Sequence, residues 1–246
     1  MACDPLDDPT GCAARIAQLI DDVFARLGLL GEALAERWQR APDGRAPAAR
    51  DLAALRSRVA PLLGDPHGHL QGMGVMLEAD ALHDRTLYGA WWQRASGGRP
   101  VPLPLSYDPC SEHFYDYRRM PWFAGPRHHG RDTLTGPYID LYGQDMYVLT
   151  FARPVFVGER FVGIAGADVA LARFERLLVS ALLRLPHEAL VVSAEGRVIA
   201  ANTADWVAGE LAPAALAGAH ALDLGPADTP WRLVQLDRPR LLAGAA

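Results

Sequence analysis

The sequence predicts an α+β protein in which a long N-terminal helix is followed by two antiparallel sheet modules. Three observations lead to this fold class. Apolar residues recur with a helical period over residues 12–39, short strand-like runs begin near residue 71, and a helical segment at 171–185 separates a larger group of strands from a smaller one. Because the strands follow one another instead of alternating with helices, antiparallel sheets are favoured over a parallel α/β arrangement.

The N-terminal region, residues 1–66, is predicted to be helical. The first helix is expected at 12–39 with Asp8 or Thr10 as its cap, and a second helix is expected at 48–63. The apolar residues of the first helix are spaced as on one face of an amphipathic helix: Ile16, Leu19, Ile20, Val23, Phe24, Leu27, Leu30 and Leu34. This face either covers the chain's own sheet or pairs with a second copy in a homodimer.

The larger module is expected at residues 67–186. A β-hairpin is its best-defined part, because two apolar runs at 147–155 and 160–169 meet at the tight turn Gly158-Glu159-Arg160. The stretch 107–137 is expected to be mostly loop. The other elements predicted here are strands at 74–78, 87–93 and 101–105, a turn at 96–98, a short helix at 122–128 and the helix at 171–185.

The smaller module is expected at residues 187–246. Strands are predicted at 189–193, 198–201 and 231–237. The Ala/Gly/Pro-rich stretch 203–229 is interpreted as a weak helix followed by a loop, and the tail 241–246 is expected to be frayed.

Charge and composition exclude several classes of partner. The net charge of the 246-residue chain is −5, which gives no basic surface for nucleic acid. No run of 18 apolar residues occurs, so no membrane contact is expected. The acidic start MACDPLDDPTGC lacks the basic and apolar parts of a signal peptide, and the three cysteines Cys3, Cys12 and Cys110 suit reduced thiols. A cytoplasmic protein is therefore expected.

The most informative residues combine aromatic rings with a few carboxylates between positions 114 and 170. They are Tyr115, Tyr117, Trp122, Phe123, Tyr138, Asp140 and Asp168. Aromatic rings attract a cation through their quadrupoles, while carboxylates supply opposite charge and accept hydrogen bonds. These residues predict a pocket that binds a small organic cation.

Several of these residues also have a purely structural interpretation. Asp168 could be an exposed strand end or the cap of the helix that follows, and Asp140 a solvent-facing strand residue. Trp122 and Tyr138 could be ordinary core aromatics. Tyr115 and its neighbour two residues later would share a face in an extended segment, where they are expected to cover the pocket as a lid.

The order PWF, GPYID, a strand, PV, a tight turn and FVGIAGADV resembles a double Cache sensor domain. In that family, PAS-like modules of the PDC type follow a long N-terminal helix, and the resemblance is strong over residues 70–185 and weaker over 186–246. It implies a ligand sensor in signal transduction. Members usually lie outside the cell, joined by membrane helices to kinase, chemotaxis or cyclase domains. This chain is expected to be a stand-alone, soluble variant that is read by a separate regulator protein.

The resemblance also implies roles for single residues. Trp122 takes the position of a ligand-binding tryptophan in the amino-acid-binding branch of the family. Met120 stands where that branch has a carboxylate-binding arginine, with Arg119 one residue away, and Phe123 replaces a tyrosine. The residues that match the amine-binding half are Tyr138, Asp140 and Asp168. The implied ligand is therefore an amine, and an amino acid only if Arg119 reaches the pocket.

The remaining alternatives to a ligand-binding pocket are a metal site, a cofactor site and an enzyme active site. The adjacent His128 and His129 do not easily face one ion, and neither they nor His113 belong to a metal-binding motif. The glycines of the hairpin do not form a dinucleotide fingerprint, so no cofactor is expected. The alternative function is a small-molecule enzyme that uses Asp168, Asp140 and one of these histidines as acid–base groups. The sequence contains no motif for a nucleophile, which favours a non-catalytic binding protein.

Overall fold

A computed structural model describes residues 8–41, 45–65, 68–95, 99–140, 146–212, 219–224 and 231–239. The α+β class with a long N-terminal helix and two antiparallel sheets, predicted from the sequence, is confirmed. The chain divides into two units, one formed by residues 23–170 and the other by the residues before 23 and after 170. The boundaries expected from the sequence at 66 and 186 remain predictions.

The first helix, α1 (Pro9–Arg40), is 32 residues long. It starts after Asp8, whose side chain accepts a hydrogen bond from the backbone N–H of Gly11 at 2.7 Å, so Asp8 is the cap. The apolar face is buried within this chain, since Ile16, Leu27 and Leu34 are all 0% exposed. Of the two interpretations of this face, coverage of the chain's own residues is the one seen here.

A six-stranded antiparallel sheet forms the unit of residues 23–170. Its strand order is β3-β2-β1-β6-β5-β4. A 3-10 helix at Ala49–Leu55 leads into α2 (Arg56–Gly64) before the first strand. The remaining elements are β1 (Leu70–Leu77), β2 (Gly89–Arg94), β3 (Pro100–Pro102), a 3-10 helix at Tyr117–Arg119, α3 (Pro121–His129), β4 (Thr133–Ile139), β5 (Tyr147–Val157) and β6 (Arg160–Ala170).

The two faces of this sheet pack against different parts of the chain. On one face, Phe24 of α1 packs edge-on against Phe151 of β5, with 5.3 Å between the ring centroids. Side chains alternate between faces along a strand, so Thr150 and Asp168 lie on the opposite face. That second face holds an aromatic cluster which includes Trp91 and Trp122. The candidate site lies there.

The unit that contains the C-terminal residues has a four-stranded antiparallel sheet. Its elements are α4 (Leu171–Leu182), β7 (His187–Val192), β8 (Val198–Ala201), β9 (His220–Leu224) and β10 (Trp231–Pro239), with strand order β8-β7-β10-β9. The buried amide of Asn202 donates to the carbonyls of Leu182 and His187 at 2.9 and 3.0 Å and accepts from the N–H of Ala189 at 2.7 Å. One side chain thus joins the end of α4 to β7.

The structure differs from the sequence predictions at several elements. β4 lies in the stretch expected to be loop, because an edge strand tolerates the missing N–H of Pro137. β9 replaces part of the expected weak helix, and its mostly exposed residues explain why no apolar pattern announced it. The edge strand expected at 101–105 is limited to β3 (Pro100–Pro102), and α4 ends at Leu182 instead of at the expected residue 185. The turn at 96–98, the tail 241–246 and Cys3 lie outside the described residues.

Candidate functional site

A small cavity lies on the aromatic face of the six-stranded sheet. Its volume is about 20 Å³, which is room for roughly one water molecule. The lining combines two carboxylates, four aromatic side chains, one threonine and three aliphatic or thioether side chains: Met76, Trp91, Leu103, Leu105, Tyr115, Trp122, Tyr138, Asp140, Thr150 and Asp168. None of these ten lining residues is basic.

Asp168 is held at the floor of the cavity by a chain of hydrogen bonds. Thr150 is its Cα partner on β5, and the Thr150 hydroxyl donates to Asp168 Oδ1 at 2.7 Å. The Tyr138 and Thr150 oxygens are also 2.7 Å apart, so Tyr138 donates to Thr150. The donors therefore run in one direction, from Tyr138 through the Thr150 hydroxyl to the Asp168 carboxylate.

Asp140 is the second carboxylate of the cavity. It follows the last residue of β4, and its backbone N–H donates to the carbonyl of Met146 at 3.0 Å. Only 9% of the residue is exposed, so it is not a solvent-facing strand residue. Asp168, at 6% exposed, is likewise not an exposed strand end. A carboxylate kept this far from water needs compensating hydrogen bonds or positive charge.

The two tyrosine hydroxyls of the cavity stay protonated. Burial raises the pKa of Tyr138, and the negative charge of Asp168 raises it further, while the hydrogen bond with Thr150 partly opposes this. Burial also raises the pKa of Tyr115, with smaller contributions from Tyr138, Asp140 and Asp168. Both hydroxyls are consequently hydrogen-bond donors at every physiological pH.

Trp122 reaches the cavity from α3. This helix starts with Pro121, whose fixed backbone angle suits a first helical position, and ends at Gly130 in the left-handed conformation. Trp122 is the second residue of the helix and is 4% exposed. The adjacent Phe123 points into the core instead, where its ring packs edge-on against Phe161 with 5.8 Å between centroids.

The structure brings together five of the eight residues predicted for the site: Tyr115, Trp122, Tyr138, Asp140 and Asp168. Tyr117, Phe123 and Arg119 are not among the lining residues. Tyr117 is fully buried, and its hydroxyl donates to the carbonyl of Leu77 at 2.6 Å. Arg119 is exposed at the end of the 3-10 helix. Because residues 117–119 are helical and not extended, Tyr115 and Tyr117 do not share a face as expected.

Sequence reasoning missed half of the lining: Met76, Trp91, Leu103, Leu105 and Thr150. A signal for Trp91 exists in two glycines, Gly74 and Gly166. A Cβ at Gly166 would come within 2.9 Å of the Trp91 ring, and a Cβ at Gly74 would come equally close to it. The ring thus lies directly on the sheet where these glycines leave room.

The histidines proposed for an enzyme do not meet the two carboxylates. His113 and His128 are exposed, His129 is partly buried, and none of them lines the cavity. Within the described residues, no group of three or more His, Cys, Asp or Glu side chains is arranged to hold a metal ion. The two carboxylates and the aromatic rings of the cavity form a candidate binding site.

Residues 69–176 match the family model described as methyl-accepting chemotaxis protein-like, first PDC sensor domain. The methyl-accepting chemotaxis protein PctB of Pseudomonas aeruginosa is 30% identical over 105 residues, which is 43% of this chain and 15% of that protein. This chain therefore spans a small part of the length of the chemotaxis proteins that it matches.

Solved structures with the same fold cover most of the chain. The extracellular domain of the putative histidine kinase mmHK1S-Z3 superimposes with a TM-score of 0.60 at 19% identity, over 94% of each chain. The ligand-binding domain of Pseudomonas aeruginosa PctB in complex with L-Arg gives a TM-score of 0.55 at 20% identity, over 91% of this chain and 89% of that one.

The predicted cytoplasmic location is wrong. The matching solved structures include extracellular domains of histidine kinases, which point to a location outside the cytoplasm. The prediction relied partly on unpaired cysteines, but a buried thiol such as Cys12 is inert in either compartment. None of the helices in the described part of the chain has the length and apolar character needed to cross a membrane.

Proposed function

We propose that this chain is a non-catalytic sensor of a small organic amine, a function consistent with the match of residues 69–176 to a PDC sensor-domain model. The observation that carries the proposal is the composition of the cavity. Two buried carboxylates, Asp140 and Asp168, line the cavity together with aromatic rings, and none of the described residues of the lining is Lys, Arg or His. An ammonium group supplies the positive charge that such a lining favours.

The aromatic rings suit the rest of such a ligand. Trp122, Tyr115 and Tyr138 line the same cavity as the two carboxylates. Ring faces attract ammonium and methylated ammonium groups, and the attraction strengthens when water is excluded. The hydrogen-bond chain that ends on Asp168 fixes the position of the carboxylate before the ligand arrives, so little ordering is needed on binding.

Binding also requires the cavity to open, because an organic amine is larger than one water molecule. The segment at residues 103–116, here named the lid segment, is mostly irregular and contributes Leu103, Leu105 and Tyr115 to the lining. It is held together by a bridge in which the N–H of Tyr115 donates to the carbonyl of Ser106 at 2.8 Å. We infer that this segment moves to admit the ligand and closes over it.

An α-amino acid is the second candidate ligand. The related domain of PctB was solved with L-Arg, and that of the Campylobacter jejuni chemoreceptor Tlp3 with L-valine. In this chain the basic residue next to the corresponding position, Arg119, is exposed, and Phe123 has no hydroxyl. A ligand carboxylate would lose its hydration without a charged partner, so we place the simple amines first.

Calorimetric titration with matched pairs tests the choice between these ligands. Isobutylamine is compared with L-valine, and agmatine with L-arginine, because each amine is the amino acid without its carboxylate. We expect the amine of each pair to bind more tightly, and Arg119→Gln to leave both affinities unchanged. Tighter binding of both amino acids, lost in Arg119→Gln, would show that Arg119 reaches the cavity and would overturn the amine proposal.

We also propose that a separate regulator protein recognises the ligand-bound state of this chain, as the sequence predicted. A homodimer through α1 stays a prediction with a weaker basis, since the apolar face that suggested it is buried within the single chain.

A further inference from the structure

One hydrogen-bond donor of a residue that lines the cavity is unsatisfied within the described part of the protein. The indole nitrogen of Trp91 is buried, and within the described residues it has no hydrogen-bond acceptor. The residue itself is 5% exposed and lines the cavity. A buried donor without a partner is costly and rare in folded proteins, so its presence in a binding cavity points to an acceptor that arrives with the ligand.

The hydroxyls of the cavity provide the contrast. The Tyr138 hydroxyl donates to Thr150, and the Thr150 hydroxyl donates to Asp168. The carboxylate side of the cavity is therefore internally connected, while the Trp91 N–H lies outside this chain.

The part of the Trp91 ring that lies against the two glycines of the sheet does not include its nitrogen. The Cε3 atom lies above Gly74, and the Cζ3 and Cη2 atoms lie above Gly166. These atoms belong to the six-membered ring, on the side of the indole opposite Nε1. Leu103 and Leu105, which line the cavity with Trp91, have no acceptor in their side chains.

We propose that the Trp91 N–H donates a hydrogen bond to the ligand, and that the ligand is an amine with an uncharged acceptor such as a hydroxyl or ether oxygen. The inference rests on the proposed amine-sensing function and narrows it. A neutral acceptor fits better than a carboxylate, because one indole N–H does not compensate a buried negative charge. The ammonium end contacts the carboxylates, and the acceptor end contacts Trp91.

Two probes of equal size test this inference by calorimetry. Ethanolamine and propylamine each have four non-hydrogen atoms, and only ethanolamine carries the acceptor. We expect the wild type to bind ethanolamine about 2- to 10-fold more tightly, the range for one neutral hydrogen bond. Trp91→Phe keeps an aromatic ring but removes the N–H, so it should bind both probes equally. Trp92→Phe is the matched control, because Trp92 follows in the strand on the other face, and it should keep the preference.

A second measurement uses the wild type and does not depend on the variant folding. The indole N–H resonance of Trp91, assigned by its loss in a Trp91→Phe spectrum or by selective labelling, should move downfield on addition of ethanolamine and much less with propylamine. Equal affinities of the two probes for the wild type, or a preference that survives in Trp91→Phe, would overturn the role of Trp91 while amine sensing stands. If neither amine binds to the wild type, the proposed function fails and this inference fails with it.

Discussion

Thr150 and Asp168 lie opposite each other on β5 and β6, and the Thr150 hydroxyl donates to Asp168 Oδ1 at 2.7 Å. Because the Thr150 oxygen also accepts from Tyr138, its proton is committed to the carboxylate. The Thr150 hydroxyl therefore stabilises the Asp168 carboxylate as a hydrogen-bond acceptor. An ammonium group, which only donates, matches this arrangement.

Thr150→Val tests that relationship. The substitution keeps the shape of the side chain but leaves the Tyr138 hydroxyl without its acceptor in a buried place. We expect the free energy of unfolding to fall by about 1–3 kcal/mol and amine affinity to fall as well, because Asp168 loses its orientation. Urea unfolding and calorimetry measure the two effects. Unchanged affinity in a folded variant would mean that the hydroxyl does not position the carboxylate.

Gly166→Ala should narrow the cavity from below. A methyl group there would lie 2.9 Å from Trp91 Cη2, so the indole has to move off the sheet and into the cavity. We expect a folded protein with weaker binding of every amine, measured by calorimetry. Gly74→Ala is the contrasting variant, because its Cβ would meet the carbonyl oxygen of Ala90 at 2.2 Å and should destabilise the fold itself. Full affinity in Gly166→Ala would contradict the position of Trp91.

Leu27 and Leu29 separate the two interpretations of α1. Leu27 is 0% exposed within the chain, whereas Leu29 is 65% exposed. We expect Leu27→Ala to lower the free energy of unfolding by about 2–5 kcal/mol and Leu29→Ala to change it by less than about 0.5 kcal/mol. Light scattering accompanies the unfolding measurements. A dimer that Leu29→Ala dissociates would show that the outer face of the helix joins two copies.

Tyr117 makes the free energy of unfolding depend on pH in the alkaline range. Burial raises its pKa to about 12, while an unfolded tyrosine titrates near pH 10. The unfolded state therefore loses its proton first, so the contribution of Tyr117 is intact below pH 10 and disappears as the pH rises from 10 to 12. The loss amounts to about 2–3 kcal/mol.

Tyr117→Phe checks this dependence. The variant should be less stable than wild type near pH 8, because the hydrogen bond to the Leu77 carbonyl is gone. The difference should shrink between pH 10 and 11 in urea unfolding. The other buried tyrosines affect both proteins equally. A difference that stays constant over this pH range would show that Tyr117 does not titrate as its burial implies.

The hairpin shows both how far the sequence could predict the site and where it could not. Alternation of apolar residues and the turn at Gly158 located β5 and β6 to within a few residues. Counting back from the pair Val157 and Arg160 would place Thr150 opposite Ala167. A bulge between Val155 and Phe156 shifts the register by one residue, and only this shift brings Thr150 opposite Asp168.

The position of Trp91 in the site could not be predicted from the sequence, for a different reason. Adjacent residues of a strand, such as Trp91 and Trp92, point to opposite faces, but which ring meets the site depends on pairing across three strands. β1 lies between β2 and β6 in the sheet, and the Trp91 ring extends across β1 to Gly166. Likewise, the 3-10 helix at Tyr117–Arg119 depends on contacts that no local pattern predicts. Trp122, Tyr138 and Asp168 could be predicted from local patterns, whereas Met76, Trp91 and Thr150 meet the site only through the pairing of strands that are distant in the sequence.

Calorimetry of Asp168→Asn with an amine that binds the wild type is the most direct test of the account. The substitution keeps the size of the side chain and removes the charge, so affinity should fall about 10- to 100-fold, the value of one charge-assisted hydrogen bond in a buried site. Glu159→Gln removes a charge from the exposed turn of the same hairpin and should leave affinity unchanged. Wild-type affinity in a folded Asp168→Asn protein would remove Asp168 from the site and contradict recognition of an amine by this cavity.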